Sequence, residues 1–72
     1  MRLNLKLFRV AQCLTQAEMA YKMGCSRMTY NRIENGESEG KEYNWNELKR
    51  EFNLKEYEIN KLKHKERRLK NA

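Results

Sequence analysis

Four side chains near the middle of the chain combine donor groups and a spacing that suit recognition of a nucleic acid. They are predicted to project from one short helix and are Arg27, Met28, Asn31 and Arg32. The buried side of that helix is formed by Tyr30 and Ile33. A guanidinium can make two hydrogen bonds to guanine O6 and N7, and a carboxamide can pair in the same way with adenine. The chemistry indicated is hydrogen bonding of Arg27 and Asn31 to base edges, whereas Arg32 suits a phosphate as well as a base.

Two short helices joined by a tight turn are predicted to position these side chains. The first covers residues 16–23, because Thr15 is an N-cap residue and the glutamate three positions later completes a capping box. Gly24 follows, the residue that most readily takes the left-handed conformation ending a helix. Ser26 caps the second helix, residues 27–34, and can also touch a nucleic-acid backbone. Two short helices around one glycine turn have the geometry of a helix-turn-helix.

The stretch TQAEMAYKMGCSRMTYNRIENG, residues 15–36, resembles the helix-turn-helix of the phage repressor/Cro (XRE-type) family. The residues that match the family pattern are Gln16, Ala20, Gly24, Ile33, Glu34, Asn35 and Gly36. The resemblance covers residues 5–59. It implies a compact all-α domain of five helices, in which helices 2 and 3 form the helix-turn-helix.

By this resemblance the second helix of the motif is the recognition helix, whose N-terminal residues meet base edges in the major groove. In the family, a glutamine at the position of Gln16 binds a DNA phosphate and braces the first side chain of the recognition helix. An arginine at the position of Arg9 pairs with the glutamate of the Glu-Asn-Gly ending, here Glu34, as a structural ion pair. The residues expected to contact DNA or a repressor are Gln16, Ser26, Arg27, Met28, Asn31, Arg32 and Asn35.

Two residues depart from the family pattern. Met28 stands where many relatives carry a hydrogen-bonding residue, and it can only pack on a thymine methyl group or on protein. Tyr30 replaces the usual Val or Ile, so its hydroxyl needs a partner at the edge of the core. An exposed methionine beside two arginines also suits a protein interface, where both residue types are enriched.

The basic charge is concentrated towards the end of the chain. The 72 residues carry a formal net charge of +6. Residues 1–59 hold 10 Lys or Arg against 9 Asp or Glu, whereas residues 60–72 hold 6 against 1. We therefore predict a helix-turn-helix domain, residues 1–59, and a basic C-terminal extension, residues 60–72, that either continues the last helix or is disordered. The loop with Glu37, Glu39 and Glu42 is unusual beside a DNA backbone, because acidic charge repels phosphate.

The remaining helices are predicted from capping signals and apolar spacing. Helix 1 is expected over residues 3–12, with Leu5, Phe8 and Ala11 facing the core. The basic residues expected on or near its surface are Arg2, Lys6 and Arg9. Asn44 is expected to cap helix 4, and Lys55 begins helix 5. The apolar residues of these two helices are Trp45, Leu48, Phe52, Tyr57, Ile59 and Leu62.

No residues have the spacing of a catalytic, metal or cofactor site. Cys13 and Cys25 have no second pair to complete a metal site, and both are expected to be small buried side chains. The lone His64 has no acidic or cysteine companion, and no nucleophile has a plausible base. We therefore expect a non-enzyme without cofactor or metal. The sequence has no membrane-spanning apolar run and no signal-peptide pattern, which predicts a cytoplasmic location.

Three functions fit these features. The first is a Cro-like transcriptional regulator that binds operator DNA, as a homodimer through the helix 4–5 region. The second is an antirepressor whose helix-turn-helix face binds a CI-type repressor, favoured by the near-neutral domain, the acidic loop and Met28. In length and character the chain resembles the modulator-of-repression (MOR) proteins of lactococcal temperate phages, which act on a CI repressor in the lysis–lysogeny switch of a bacterial host. The third, an antitoxin, would need a toxin-binding extension that the sequence does not contain.

Overall fold

The computed structural model describes residues 1–66, and these form five α-helices and no strand. The helices are α1 (Leu3–Ala11), α2 (Gln16–Met23), α3 (Arg27–Asn35), α4 (Glu42–Glu51) and α5 (Glu56–Lys63). The predicted all-α fold of five helices is therefore confirmed. Helices this short are marginal in isolation, so their stability comes from packing their apolar faces together.

Helix α2 and the turn that joins it to α3 form as the local sequence predicts. Thr15 Oγ1 accepts a hydrogen bond from the Glu18 N–H at 3.1 Å, and the Glu18 carboxylate accepts one from the Thr15 N–H at 2.8 Å. Gly24 ends α2 in the left-handed conformation, with a φ of 74°. Ser26 then caps α3 by accepting from the N–H of Thr29. Residues within three positions of one another therefore define both ends of α2 and the start of α3.

All five helices contribute to one hydrophobic core. Its buried members are Leu5, Met19, Ala20, Met23, Tyr30, Ile33, Trp45, Leu48, Ile59 and Leu62. At its edge Phe8 and Phe52 pack edge to face, with ring centroids 5.0 Å apart. Tyr57 is 59% exposed and lies outside the core, unlike the other apolar residues predicted for helices 4 and 5.

Arg2 was predicted to lie on or near the surface, but this prediction is wrong, because Arg2 is only 1% exposed. Its Nη1 donates to the carbonyl oxygens of Ile33 at 2.6 Å and Ser38 at 2.8 Å, and its Nε donates to that of Lys63 at 3.0 Å. The guanidinium also lies over the Trp45 ring, 5.4 Å from its centroid. Ile33 and Lys63 lie in the last turns of α3 and α5, where carbonyls have no partner within the helix, and Ser38 lies in the loop after α3. Arg2 supplies donors to them, which compensates for its burial.

The start of α4 also differs from the prediction, since Lys41 and not Asn44 is the N-cap residue. Asn44 lies inside the first turn and is 1% exposed. Its Oδ1 accepts from the Lys41 N–H at 2.9 Å, while its Nδ2 donates to the Met23 carbonyl at 2.8 Å. A single carboxamide thus starts α4 and ties it to the end of α2.

Predictions of burial near the end of α1 also differ from the structure. Ala11 was expected to face the core, but it is exposed. Cys13 was expected to be buried, but it is exposed at the end of α1 with a φ of 60°, and Cys25 is only partly buried. The predicted division at residue 59 falls inside α5, whose Leu62 packs in the core. Residues 67–72 of the predicted extension lie outside the described residues. Within residues 1–66, no helix is long and apolar enough to span a membrane.

Candidate nucleic-acid interface

The outward face of α3 carries the side chains that can reach a ligand. Arg27, Met28 and Arg32 are exposed, and Met28 retains 66% of its accessible surface. On the opposite side of the same helix, Tyr30 and Ile33 are fully buried. Their burial fixes the rotation of α3 about its axis, so the three exposed side chains point away from the core.

Glu34, at the end of α3, is a buried carboxylate that accepts three side-chain hydrogen bonds. Its Oε2 accepts from Arg9 Nε at 2.8 Å and from the Tyr30 hydroxyl at 2.6 Å. Its Oε1 accepts from Gln16 Nε2 at 3.0 Å. Arg9 also donates from Nη1 to the Leu14 carbonyl at 2.9 Å. The ion pair expected from the resemblance therefore joins α1, α2 and α3 at a single carboxylate.

The environment of Glu34 keeps it ionised. Burial by itself raises the pKa of Glu34, but the hydrogen bonds from Arg9, Tyr30 and Gln16 outweigh burial and hold the pKa below its usual value. Burial and the hydrogen bond to Glu34 raise the pKa of the Tyr30 hydroxyl, so it remains a donor. The hydrogen bond to Glu34 raises the pKa of Arg9. The cluster therefore holds one negative and one positive charge near neutral pH.

Three carboxamides extend this cluster onto the surface of α3. Gln16 Oε1 accepts from Asn31 Nδ2 at 3.4 Å, and Asn31 Oδ1 accepts from Asn35 Nδ2 at 3.2 Å. A carboxylate is only an acceptor, so Glu34 requires Gln16 to present its NH2 group inwards and its oxygen outwards. That orientation sets the amide of Asn31, which sets that of Asn35. We call Gln16, Asn31 and Asn35 the amide chain.

The positions of the predicted contact residues fall into two groups. Gln16 and Asn31 are partly buried, whereas the other five are exposed, namely Ser26, Arg27, Met28, Arg32 and Asn35. The amide of Gln16 bonds Glu34 and Asn31 rather than the first side chain of α3, Arg27. Gln16, Arg27, Met28 and Asn31 nevertheless line one shallow depression on the surface.

Sequence reasoning identified the need for a Tyr30 hydroxyl partner without naming it. The partner is Glu34, four residues further along the same helix. Residues four apart lie on one helix face, so this spacing was the available signal. Asn44 and Arg2 gave no comparable local signal, because their partners are distant in sequence.

The acidic loop is partly neutralised by neighbouring basic side chains. Glu39 pairs with Arg2 Nη2 at 3.1 Å and with Lys65. The hydrogen bond from Lys65 is the main reason that the pKa of Glu39 is lowered. Glu37 and Lys41 of the same loop are exposed. The loop therefore repels phosphate less than its three carboxylates suggest.

The comparison with protein families agrees with this geometry. The model of the XRE-type helix-turn-helix family matches residues 5–39. The match begins in α1, includes α2 and α3, and ends in the loop before α4. Proteins of this family are generally DNA-binding transcriptional regulators. Neither the comparison with curated proteins nor that with solved structures finds a match.

Proposed function

We propose that this protein regulates transcription by inserting α3 into the major groove of operator DNA. The observation that carries the proposal is the exposed face of α3, where Arg27 and Arg32 flank Met28, on a helix fixed from behind by Glu34. A recognition helix must present its readout side chains from a rigid support. The cap at Ser26 and the carboxylate at Glu34 hold the two ends of the helix.

Each residue of this face has a proposed role. Arg27, in the first turn of α3, makes a bidentate contact with guanine, and Met28 packs on a thymine methyl group. Asn31 keeps one N–H and one oxygen lone pair uncommitted, which is what bidentate pairing with adenine requires. Arg32 contacts a phosphate. The other proposed contacts, to the DNA backbone, are those of Gln16, Ser26 and Asn35.

Charge distribution determines how strongly such a protein binds. Residues 1–59 have a net charge of +1, whereas residues 60–72 have a net charge of +5. Each phosphate contact contributes about −0.9 to the slope of log affinity against log salt concentration. We therefore propose that the basic residues among 60–72 supply much of the salt-dependent affinity.

The test begins by selecting a preferred duplex from random-sequence DNA and measuring its affinity by fluorescence anisotropy. Arg27→Ala should weaken binding to that duplex by about 1–3 kcal/mol and relax the preference at one base pair. Arg27→Lys keeps the charge but removes the bidentate geometry, so it should lose the same preference. Arg50→Ala, on the exposed surface of α4, is the matched control. Equal losses on every sequence would contradict base readout by Arg27.

A second candidate, an antirepressor of a temperate phage, is favoured by Met28. A methionine with 66% of its surface exposed between two arginines is suited to the centre of a protein contact. In this proposal the same face of α3 binds a CI-type repressor in the host cytoplasm and blocks its operator-reading surface during the lysis–lysogeny decision.

The two candidates give opposite results in one mixing experiment. The protein is titrated into the DNA-binding domain of a CI-type repressor encoded beside its gene, and complex formation is measured by calorimetry. Under the antirepressor proposal Met28→Asp abolishes the complex, while Asn46→Asp on the exposed surface of α4 leaves it intact. Tight operator binding by the protein alone, with no complex, would exclude the antirepressor.

A further inference from the structure

The first helix, α1, is apolar on two opposite faces. Leu5 is fully buried and Phe8 packs at the edge of the core. On the other side Leu3, Leu7 and Val10 are 40%, 55% and 54% exposed. Their spacing of four and then three residues places them on one line along the helix. A surface helix ordinarily turns a polar face to water, so this line of side chains, the α1 stripe, indicates a binding surface.

We propose that the α1 stripe binds a second copy of this chain, with the two α1 helices antiparallel. The stripe is self-complementary about its centre. A two-fold axis at Leu7 brings this residue against Leu7 of the second copy, and brings Leu3 towards Val10 and Ala11 of that copy. The exposed Ala11 allows the helices to approach closely. An interface of this kind needs the same patch to fit itself, which is the requirement for a closed dimer.

The charges of α1 are compatible with this pairing. The helix, LNLKLFRVA, contains no carboxylate, and Arg9 is turned inwards to Glu34. Lys6 is exposed at one edge of the stripe, where its long side chain can keep its ammonium group in water. The stripe itself is uncharged, so pairing two copies buries no unpaired charge.

The groove beside the stripe adds to the available contact area. It lies between α1 and α5 and is lined by Asn4, Phe8, Leu54, Tyr57 and Leu62, among others. A helix of nine residues is only about 14 Å long. A standard interface buries about 800 Å² on each partner, so the α1 stripe with its groove is at the small end. Interfaces of this size are weak or transient, so we expect dimerisation to require micromolar or higher concentrations of protein.

The predicted dimer surface in the helix 4–5 region is less apolar. Tyr43 and Tyr57 are the large apolar residues exposed on α4 and α5, and Tyr57 belongs to the groove beside α1. The α1 stripe lies on the side of its helix opposite to the core, and no residue of α1 lines the depression formed by Gln16, Arg27, Met28 and Asn31. A dimer through α1 consequently leaves both recognition helices accessible.

The test is sedimentation velocity of the full chain at concentrations from about 1 to 500 µM, which span the range expected for a weak dimer. Wild-type protein should shift from monomer to dimer. Leu7→Asp places a carboxylate at the two-fold axis in both copies, and should weaken dimerisation by about 30-fold or more. Tyr21→Asp is the matched control, because Tyr21 is 84% exposed but lies on α2. It should dimerise like the wild type.

Cross-linking provides an independent measurement on folded protein. In a background with Cys13→Ser and Cys25→Ala, Leu7→Cys should form a disulfide-linked dimer under mild oxidation, since the two thiols meet at the axis. Asn46→Cys on α4 should form no disulfide-linked dimer, because its thiol lies away from the α1 stripe, and circular dichroism checks that all variants fold. A wild-type monomer at every concentration overturns the proposal, as does a Leu7→Asp dimer of unchanged affinity. No DNA is present, so the result is independent of the proposed function.

Discussion

Replacement of Glu34 by glutamine tests whether the buried carboxylate holds the helix-turn-helix together. Glu34→Gln preserves the size of the side chain and removes its charge. The glutamine oxygen can still accept from Arg9 and Tyr30, but Arg9 then lies without its counter-charge. The side chains of Arg9 and Glu34 are only 13% and 4% exposed, so water screens this loss little.

The expected loss follows from the three hydrogen bonds that Glu34 accepts. A hydrogen bond to a charged group contributes about 1.5–3 kcal/mol, against about 0.5–1.5 kcal/mol for a neutral pair. A loss of about 1 kcal/mol in each of the three bonds gives about 3 kcal/mol, the lower end expected for breaking a buried ion pair. A domain of this length has a free energy of unfolding of about 4–11 kcal/mol. Glu34→Gln should therefore leave a folded but marginal protein.

Urea denaturation followed by the fluorescence of Trp45 measures this change. Trp45 is the only tryptophan and is 4% exposed, so its emission reports unfolding of the core. Arg9→Met and the double variant complete a double-mutant cycle with Glu34→Gln. The double variant should be about 2 kcal/mol more stable than the two single losses predict, because it buries no unpaired charge. The control, Glu37→Gln in the exposed loop, should change stability by about 0.5 kcal/mol or less.

The pH dependence gives the sign of the same effect. The pKa of Glu34 is lower in the folded state than its ordinary value of 4.5. The ionised carboxylate therefore contributes fully to the free energy of unfolding when the pH is above that ordinary value. This contribution is lost as the pH falls through the folded-state pKa. The difference between wild type and Glu34→Gln should therefore shrink as the pH is lowered from neutral into this acidic range. The reasoning would be refuted if Glu34→Gln lowered the free energy of unfolding by less than about 1 kcal/mol at neutral pH, or if its effect grew as the pH was lowered.

Two further predictions concern backbone groups and are also measured by urea denaturation. Gly40→Ala should cost more than Gly24→Ala, for which about 1–2 kcal/mol is expected from the left-handed backbone alone. Both glycines have positive φ, but a Cβ at Gly40 would lie 3.1 Å from Ile33 and Trp45, whereas one at Gly24 meets only ordinary contacts; equal losses would contradict this account. Arg2→Met should cost about 3 kcal/mol, because it removes the donors to three carbonyl groups; a neutral result would show that water replaces the guanidinium.

The helix-turn-helix was predictable because its determinants are local. Thr15 with Glu18, and Ser26 with Thr29, each act over three residues, so the sequence alone predicts where α2 and α3 begin. Gly24 ends α2 because glycine readily takes the left-handed conformation, a property of that single residue. The family resemblance then predicted the neighbourhood of Arg9 and Glu34.

The residues that sequence reasoning misplaced depend on contacts between distant segments. Arg2 binds carbonyls 31 and 61 residues away, which come together only when α3 and α5 pack beside the N-terminus. Asn44 reaches the Met23 carbonyl, 21 residues away. Each side chain is polar, and a polar residue is ordinarily exposed. Their burial depends on carbonyl groups of distant segments, which no window of local sequence displays.

One carboxylate connects the stability of this domain with the pattern of donors and acceptors that it presents. Glu34 fixes α1 and α2 to the end of α3, and it also determines which way the amide of Gln16 points. The orientation passes through Asn31 to Asn35 on the surface of α3. A glutamine at position 34 could offer either its oxygen or its NH2 group to Gln16, so the amide chain would lose its fixed direction even where the fold survives. The charge of Glu34 therefore contributes to stability, whereas its acceptor-only character sets the amide orientations that the proposed recognition face presents.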